Sequence, residues 1–402
     1  MTVNIASTEF EANPYPFFAR LRAEEPVYAV TLADKRTAWL VTRYEDVVAV
    51  LKDDRIVKNR WSAMTPAQAA KMPWIPKPFM PLMRNMLDLD PPDHTRLRGL
   101  VHKAFTPRLV DAMRERVQAV TDDLLDAALR RRQMDLIRDL ALPLPTTIIA
   151  QMLGVVPEDQ NRFHRWSSAL MALDQTQWGM LRGLPYVMAF MRFIRKLVKA
   201  RRLNPQDDLT TALVQAEEAG DQLSEDELLA LIFLLLIAGH ETTVNLIGNG
   251  TFALLQHPHQ LNKLRSDPSL IKSGVEELLR FESPLYTATE RFACEDIAIA
   301  AIRIPRGELV LAVIASANRD AHQFENPDSL DLAREDNKHL SFGLGVHYCL
   351  GAPLARIEGQ IAIGTLLRRT RELHLAVPPS ALRWRRGLVL RGLEALPVEI
   401  SP

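Results

Sequence analysis

Residues 342–351 read Phe-Gly-Leu-Gly-Val-His-Tyr-Cys-Leu-Gly and run directly into Ala352-Pro-Leu-Ala-Arg-Ile-Glu358. Gly343, Gly345 and Gly351 have no Cβ, so the backbone there can adopt turn conformations and lie close against a flat partner. Pro353 suits the first turn of a helix, and the residues after it are good helix formers. Cys349 therefore stands at the mouth of a helix, where the positive end of the dipole favours a thiolate over a thiol. A purely structural cysteine has no need of three glycines and His347 at those offsets. Cys294, the other cysteine, lies in an alternating strand-like run and reads as a small buried hydrophobe.

The 402 residues are 47% hydrophobic, with Lys+Arg and Asp+Glu both 49. A balanced charge gives no reason to expect nucleic acid or an anionic membrane as partner. Two cysteines argue against a disulfide framework and for a reducing compartment. The stretch Met1 to Phe10 has neither a basic nor an apolar segment of the signal type, and the longest unbroken apolar run, Leu228 to Ala238, is short for a bilayer span. The expectation is a cytoplasmic monomer with no membrane segment.

Working outward, Pro26 to Val30 and Thr37 to Thr42 alternate like strands, and Tyr44 to Leu51 has helical spacing. Residues 59–92 collect seven prolines among Trp and Met and resist regular structure, as a lid would. From His94 to Gln256 the 3.6-residue period dominates, with breaks expected at Pro143–Pro145, Gly154–Pro157, Gly183–Pro185 and Asn204–Pro205. Residues 285–314 alternate again. The chain thus reads as mainly α with a small β lobe, in a single domain spanning 1–402.

Ser224 and Glu227 form a capping-box pair opening a long helix that His257-Pro258 ends. Its apolar first half gives way to Ala238-Gly239-His240-Glu241-Thr242-Thr243. A carboxylate and two hydroxyls amid core residues need partners, water or a ligand. Gly239 weakens the helix, and Thr242 can bond one turn back, so a groove is expected there. A zinc-protease reading fails because Val244 stands where the second histidine belongs.

Both segments resemble motifs of the cytochrome P450 superfamily, in its soluble bacterial type, and the resemblance covers nearly the whole chain. It implies the P450 fold, a triangular prism-like helical core with haem b between the long central helix and the cysteine loop. Cys349 would ligate the iron. Phe342, Gly343, Ala238 and Gly239 would line the haem, and His94, Arg98, Arg291 and His347 would meet its propionates. Thr242 would hold dioxygen and its water network while Glu241 relays protons. Glu277, Arg280 and Arg334 match the Glu-x-x-Arg and arginine of a structural triad, although Leu330-Asp-Leu-Ala replaces the aromatic-Asp-Pro that often precedes that arginine.

The implied reaction is insertion of one atom of dioxygen into a hydrophobic small molecule, by hydroxylation or epoxidation. Electrons would come from NAD(P)H through a ferredoxin or flavodoxin and its reductase, docked on a basic patch of Lys103, Arg108, Lys338 and Arg356. By analogy Met83, Arg84, Leu235, Ala238, Tyr286, Thr287 and Val389 would touch substrate, of polyketide, terpenoid, steroid or fatty acyl type. Two alternatives stay open, a peroxide-driven haem peroxygenase and a non-enzymatic thiolate-haem sensor. The pair Glu241-Thr242 speaks against the first, since peroxide brings its own protons, and against the second, which needs none.

Overall fold

The structure is a computed structural model that describes residues 7–32, 36–70, 85–160, 162–163, 166, 177–218 and 223–402. It divides into two compact units, Met1–Lys71 with Gln118–Pro143 and Thr242–Pro402, and Met72–Val117 with Leu144–Glu241.

The first unit contains a five-stranded sheet of β1 (Val27–Thr31), β2 (Thr37–Val41), β3 (Ile56–Val57), β4 (Arg291–Ala293) and β5 (Leu309–Ala312), ordered β1-β2-β5-β4-β3. β2 and β5 run parallel, with Ala38 opposite Leu309 and Val41 opposite Ala312; the other pairings are antiparallel. The period of two explains why the centre is apolar on both faces. Ala38, Leu40, Leu309 and Leu311 pack with Phe10, Phe17, Phe18 and Leu21. Val41, Val310 and Ala312 face the other way onto Val47, Val50, Leu51 and Leu340.

Five helices matter for the site: α1 (Asp93–Ala104), α2 (Pro107–Leu129), α3 (Gln177–Leu203), α4 (Glu225–Gln256) and α5 (Ile271–Phe281), followed by α6 (Ala352–Arg369) after the cysteine loop. α4 opens as its cap requires, with Ser224 N donating to Glu227 Oε2 at 2.8 Å and Glu227 N to Ser224 Oγ at 3.2 Å. By length and composition α4 as a whole is apolar enough to cross a bilayer, which the eleven-residue run alone did not suggest; more than half of its apolar window is buried in protein, as in a core helix. Within the first unit, a Cβ on Gly359 of α6 would come within 2.9 Å of Leu246 Cδ2 on α4, and one on Gly250 within 3.3 Å of Ile363. Those two glycines let α4 and α6 approach closely.

In the second unit α3 presents Val187, Phe190, Ile194, Leu197 and Val198 inward, and the Phe190 ring meets Phe233 of α4 edge-on at 5.8 Å. α3 runs through Gly183–Pro185, where a break was expected. One proline removes a single hydrogen bond, and the buried apolar face outweighs that loss. Pro143 does act as punctuation, as the first residue of the helix Pro143–Met152. Of the proline-rich stretch, residues 71–84 lie outside the described residues; the flanks form short helices at Arg60–Ala63, Pro66–Ala69 and Met86–Asp88.

Candidate active site

The cysteine loop is anchored at its start by Asn318. Leu340 N donates to Asn318 Oδ1 at 2.7 Å, Asn318 Nδ2 donates to Ser341 Oγ at 2.9 Å, and Ser341 Oγ donates to Leu279 O at 2.7 Å. The chain then turns through Gly343 and Gly345, at φ +68° and +72°. A side chain on Gly345 would also collide with Leu51 O, 2.9 Å from its Cβ. Cys349 N donates to Phe342 O at 2.8 Å, which closes the loop and sets the half-buried cysteine three residues ahead of α6. It packs on Leu246, Val275, Leu279, Phe342 and Ala352. Gly351 differs from its sequence reading: its φ is an ordinary −80°. A Cβ there would meet nothing within 4 Å, so its contribution is open space beside the cysteine and not a left-handed conformation.

That loop is clamped from the helix side. Glu276 on α5 accepts from Arg356 Nε and an Arg356 Nη at 2.7 and 2.8 Å, and its other neighbour is His339 Nε2 at 3.0 Å. Burial alone would raise the Glu276 carboxyl, but the bonds from Arg356 and His339 overrule it and hold the group down at about 2. The Arg356 guanidinium also lies over the Phe342 ring, 4.4 Å from its centre. Arg356, expected in a surface basic patch, is therefore committed to holding the loop, and Lys338 pairs with Asp336 at 3.2 Å.

Glu277 and Arg280 are both fully buried and joined by two bonds of 2.7 and 2.8 Å. Glu277 also accepts from Arg334 Nε at 3.1 Å, Asn337 Nδ2 at 3.1 Å and the Asp331 amide at 3.0 Å. Arg280 donates onward to the carbonyls of Asn318, Pro327 and Ser329. Arg334 thus reaches the pair despite the missing aromatic-Asp-Pro. Through Asn318 the cluster connects to the start of the cysteine loop.

On α4, Leu235, Ala238, Gly239 and Thr242 fall at i, i+3, i+4 and i+7 and all retain exposure, while Leu236, His240, Thr243 and Val244 beside them are buried. A stripe of accessible surface at mid-helix, among the most apolar residues of the chain, marks a face turned toward something other than core. Backbone helicity continues through it, so the expected groove does not interrupt the helix. Glu241 is half-buried.

One acid was missed by sequence reasoning. Glu358, on the buried face of α6, is 1% exposed and hydrogen-bonded to Thr243, the neighbour of Thr242; its Oε1 has no partner among the described residues. Burial pushes this carboxyl up to about 8, with the Thr243 bond opposing. It is therefore a neutral acid at pH 7. The available signal was a lone Glu on the apolar stripe Leu354, Ile357, Ile361 of α6.

His94 and Arg98 occupy one face of α1. His94 is buried, and burial, then the Arg98 charge, lowers its pKa and keeps the imidazole neutral. Arg98 Nε donates to His102 Nε2 at 3.2 Å. Arg291 is buried in β4 and His347 half-buried in the turn before Cys349. Of the substrate positions, Leu235, Ala238 and Val389 have accessible surface. Tyr286 and Thr287, also expected as substrate contacts, are buried at 1% and 2% exposure. The Tyr286 hydroxyl is taken by Arg391 and the Glu11 carbonyl, and Thr287 Oγ1 donates to Leu388 O at 2.9 Å, so both residues tie their segment to Leu388–Arg391. Met83 and Arg84 lie outside the described residues.

The donor set fits a haem. Cys349 offers one thiol ahead of a helix, Gly343 and Gly351 leave the adjoining surface clear, and apolar side chains surround it.

Comparison with known proteins agrees with that chemistry. The chain is 43% identical over 398 residues to the polyketide biosynthesis cytochrome P450 PksS of Bacillus subtilis (strain 168), covering 98% of this chain and 97% of that one. It is 39% identical over 402 residues to the 6-deoxyerythronolide B hydroxylase of Saccharopolyspora erythraea, covering 99% and 98%. The solved PksS structure superposes with a TM-score of 0.92 at 42% identity over both whole chains. That of P450BioI with hexadec-9Z-enoic acid ligated acyl carrier protein superposes with 0.87 at 40% identity, covering 98% of this chain and all of that one. The sequence model described as Cytochrome P450 matches residues 2–391, and the chain belongs to the cytochrome P450 family, as a haem-dependent monooxygenase with the P450 fold.

Proposed function

We propose that this P450 hydroxylates or epoxidises an acyl or polyketide-type chain, with haem b ligated by Cys349. The observation that carries the reading is the accessible Leu235–Ala238–Gly239–Thr242 stripe on α4, apolar at one end and hydroxyl-bearing at the other. A relative named for polyketide biosynthesis, another named as a 6-deoxyerythronolide B hydroxylase, and a neighbour solved with a hexadec-9Z-enoic acid ligated acyl carrier protein support that substrate class. Haem, when bound, supplies the iron at which dioxygen is activated; one oxygen atom enters the substrate and the other leaves as water, at the expense of two electrons and two protons.

In the first unit, Cys349 would provide the thiolate, His347 and Arg291 would bond to propionate, Phe342 and Gly343 would line the ring, and Thr242 would position dioxygen by its hydroxyl. The cluster Glu277–Arg280–Arg334 keeps the loop in register. In the second unit, His94 and Arg98 would serve propionate, Ala238 and Gly239 would leave room for the ring, and Glu241 would pass protons inward. Leu235, Ala238 and Val389 touch substrate, with Met83 and Arg84 as further contacts. Electrons arrive from NAD(P)H through a ferredoxin or flavodoxin and its reductase. The protein is a cytoplasmic monomer, and residues 1–402 serve one haem.

Optical titration of the purified ferric protein tests the reading. Free fatty acids of twelve to eighteen carbons and macrolactones should shift the Soret band from low to high spin saturably. Haem without any shift across both classes refutes the substrate assignment, and protein that takes up no haem refutes the role of Cys349.

A further inference from the structure

Residues 192–202 of α3 read Arg-Phe-Ile-Arg-Lys-Leu-Val-Lys-Ala-Arg-Arg, six cations and no anion, in a chain whose charges balance. α2 shows the contrasting habit, alternating Arg108, Asp111, Arg114, Glu115 and Arg116 and then Asp122, Asp123 and Asp126. Arg201 is turned inward, bonded to Asp208 and to Gly154 O. Arg192, Arg195, Lys196 and Lys199 are exposed on the face opposite Phe190, Ile194 and Leu197. Among the described residues a rim contact tempers them, Arg195 to Glu225 at 3.1 Å, with both groups about half exposed. The same ridge continues toward the helix N-terminus as Met188 and Leu181, 42% and 50% exposed. A solvated helix face has no use for exposed apolar groups followed by cations of one sign. A protein interface does, with apolar contact for affinity and charge for steering.

We infer that this ridge docks the carrier protein that presents the acyl substrate, an acidic helical domain with an apolar spot beside its acids. The inference rests on the acyl-substrate reading above. Charge complementarity favours such a partner over an anionic membrane: a membrane-surface helix buries its main apolar stripe in lipid, whereas that of α3 is already spent on the protein core. The ridge also sits on the back of the turn whose Phe190 meets Phe233, five residues before Ala238. A carrier seated there would hold its thioester on the unit that contains the apolar half of the accessible α4 stripe.

The test uses the haem-loaded full chain, a fluorescently labelled acyl carrier protein bearing a hexadecanoyl phosphopantetheine thioester, and free hexadecanoic acid. The variant R192E/K196E/K199E touches no residue placed in the haem or substrate machinery; R192Q/K196Q/K199Q provides a milder second variant, and an unchanged ferrous–CO spectrum certifies folding. The reversal should weaken carrier binding at least about tenfold and flatten its salt dependence, the neutral variant should fall between, and the spin shift with free hexadecanoic acid should stay as in the parent. Equal carrier binding by parent and reversal variant overturns the docking face while leaving the acyl reading intact. A parent that responds to neither free acid nor thioester overturns the acyl reading and the docking face with it. Charge-dependent capture of the parent on phosphatidylglycerol vesicles, with no carrier binding, also overturns the inference and reassigns the ridge to a membrane.

Discussion

Glu358→Gln isolates the one buried acid whose proton the fold retains. Its carboxyl stands at 4.5 in an ordinary setting and at about 8 here, raised by burial against the opposing bond from Thr243. The native chain therefore keeps a proton that the unfolded chain has released, and the sign follows: stability from this group is complete below pH 4.5 and is lost as pH rises toward 8. At ~1.4 kcal/mol per pH unit, the native protein loses about 4 kcal/mol between pH 5 and pH 8 through this residue. Glutamine has the same shape and no proton to lose, so its variant lacks that slope.

The assay is urea unfolding of the haem-loaded protein at pH 5, 6, 7 and 8, parent against variant. Every other titrating group is common to both proteins and cancels in the difference. The amide that the substitution introduces adds a constant cost of about 1–3 kcal/mol if its N–H groups find no acceptor, which displaces the difference without tilting it. The variant should gain on the parent by about 4 kcal/mol across the series. Infrared spectra should also show a protonated carboxyl band that titrates near pH 8 in the parent and is missing in the variant. A difference flat to within about 1 kcal/mol from pH 5 to 8 would refute the reasoning, because it would mean that Glu358 is ionised in the native state throughout.

Four further outcomes are expected. Thr242→Ala should retain haem and substrate-induced spin change but lower product formed per NAD(P)H by roughly tenfold or more, with hydrogen peroxide collecting the balance; unchanged coupling removes Thr242 from oxygen activation. Glu277→Ala leaves Arg280 buried and unpaired and should cost about 3–5 kcal/mol in denaturant unfolding, with haem loss accompanying it. Gly359→Ala places a methyl 2.9 Å from Leu246 Cδ2, so the α4–α6 contact must give way, at about 1–3 kcal/mol in thermal unfolding. Arg356→Met releases Glu276, whose folded value near 2 lies below its ordinary 4.5, so the stabilisation it removes is present above pH 4.5 and fades as pH falls toward 2. Because that pair is partly exposed, the loss at pH 7 should be only about 1 kcal/mol, read as the midpoint shift between parent and variant.

The parts of this molecule that were legible in its residues are those set by local rules. Alternation at Thr37–Val41 and at Leu309–Ala312 marks strands whose two faces enter two different apolar clusters. Ser224 and Glu227 announce the start of α4 to within one residue. The spacing of Gly343 and Gly345 before Cys349 carries a loop that only positive φ allows. What could not be read depends on partners distant in the chain. Pro185 sits mid-helix because of what Phe190 and Ile194 pack against. Tyr286, placed among the substrate contacts by analogy, turns its hydroxyl to Arg391 and Glu11, 105 and 275 residues away. Arg356 resembles any surface arginine until Glu276 is placed beside it.

Three buried glutamates of the first unit show how the same side chain is put to different uses. Glu277 accepts from two arginines, an asparagine and a backbone amide. Glu282 lies against Arg391 at 2.9 Å, with Arg319 behind it at 3.8 Å and the Tyr15 hydroxyl donating at 3.0 Å. Both side chains are surrounded by donors, and removing either would take the acidic partner from a buried guanidinium. Glu358 is buried as deeply but has only the Thr243 hydroxyl among the described residues. Its charge is not compensated, so the proton stays until the pH approaches about 8. An acid of that kind adds nothing to rigidity and is costly to folding wherever the solvent would ionise it. Its hydrogen bond to Thr243, the residue after Thr242, puts a neutral acid on the buried side of α4, where the ion-paired glutamates supply none.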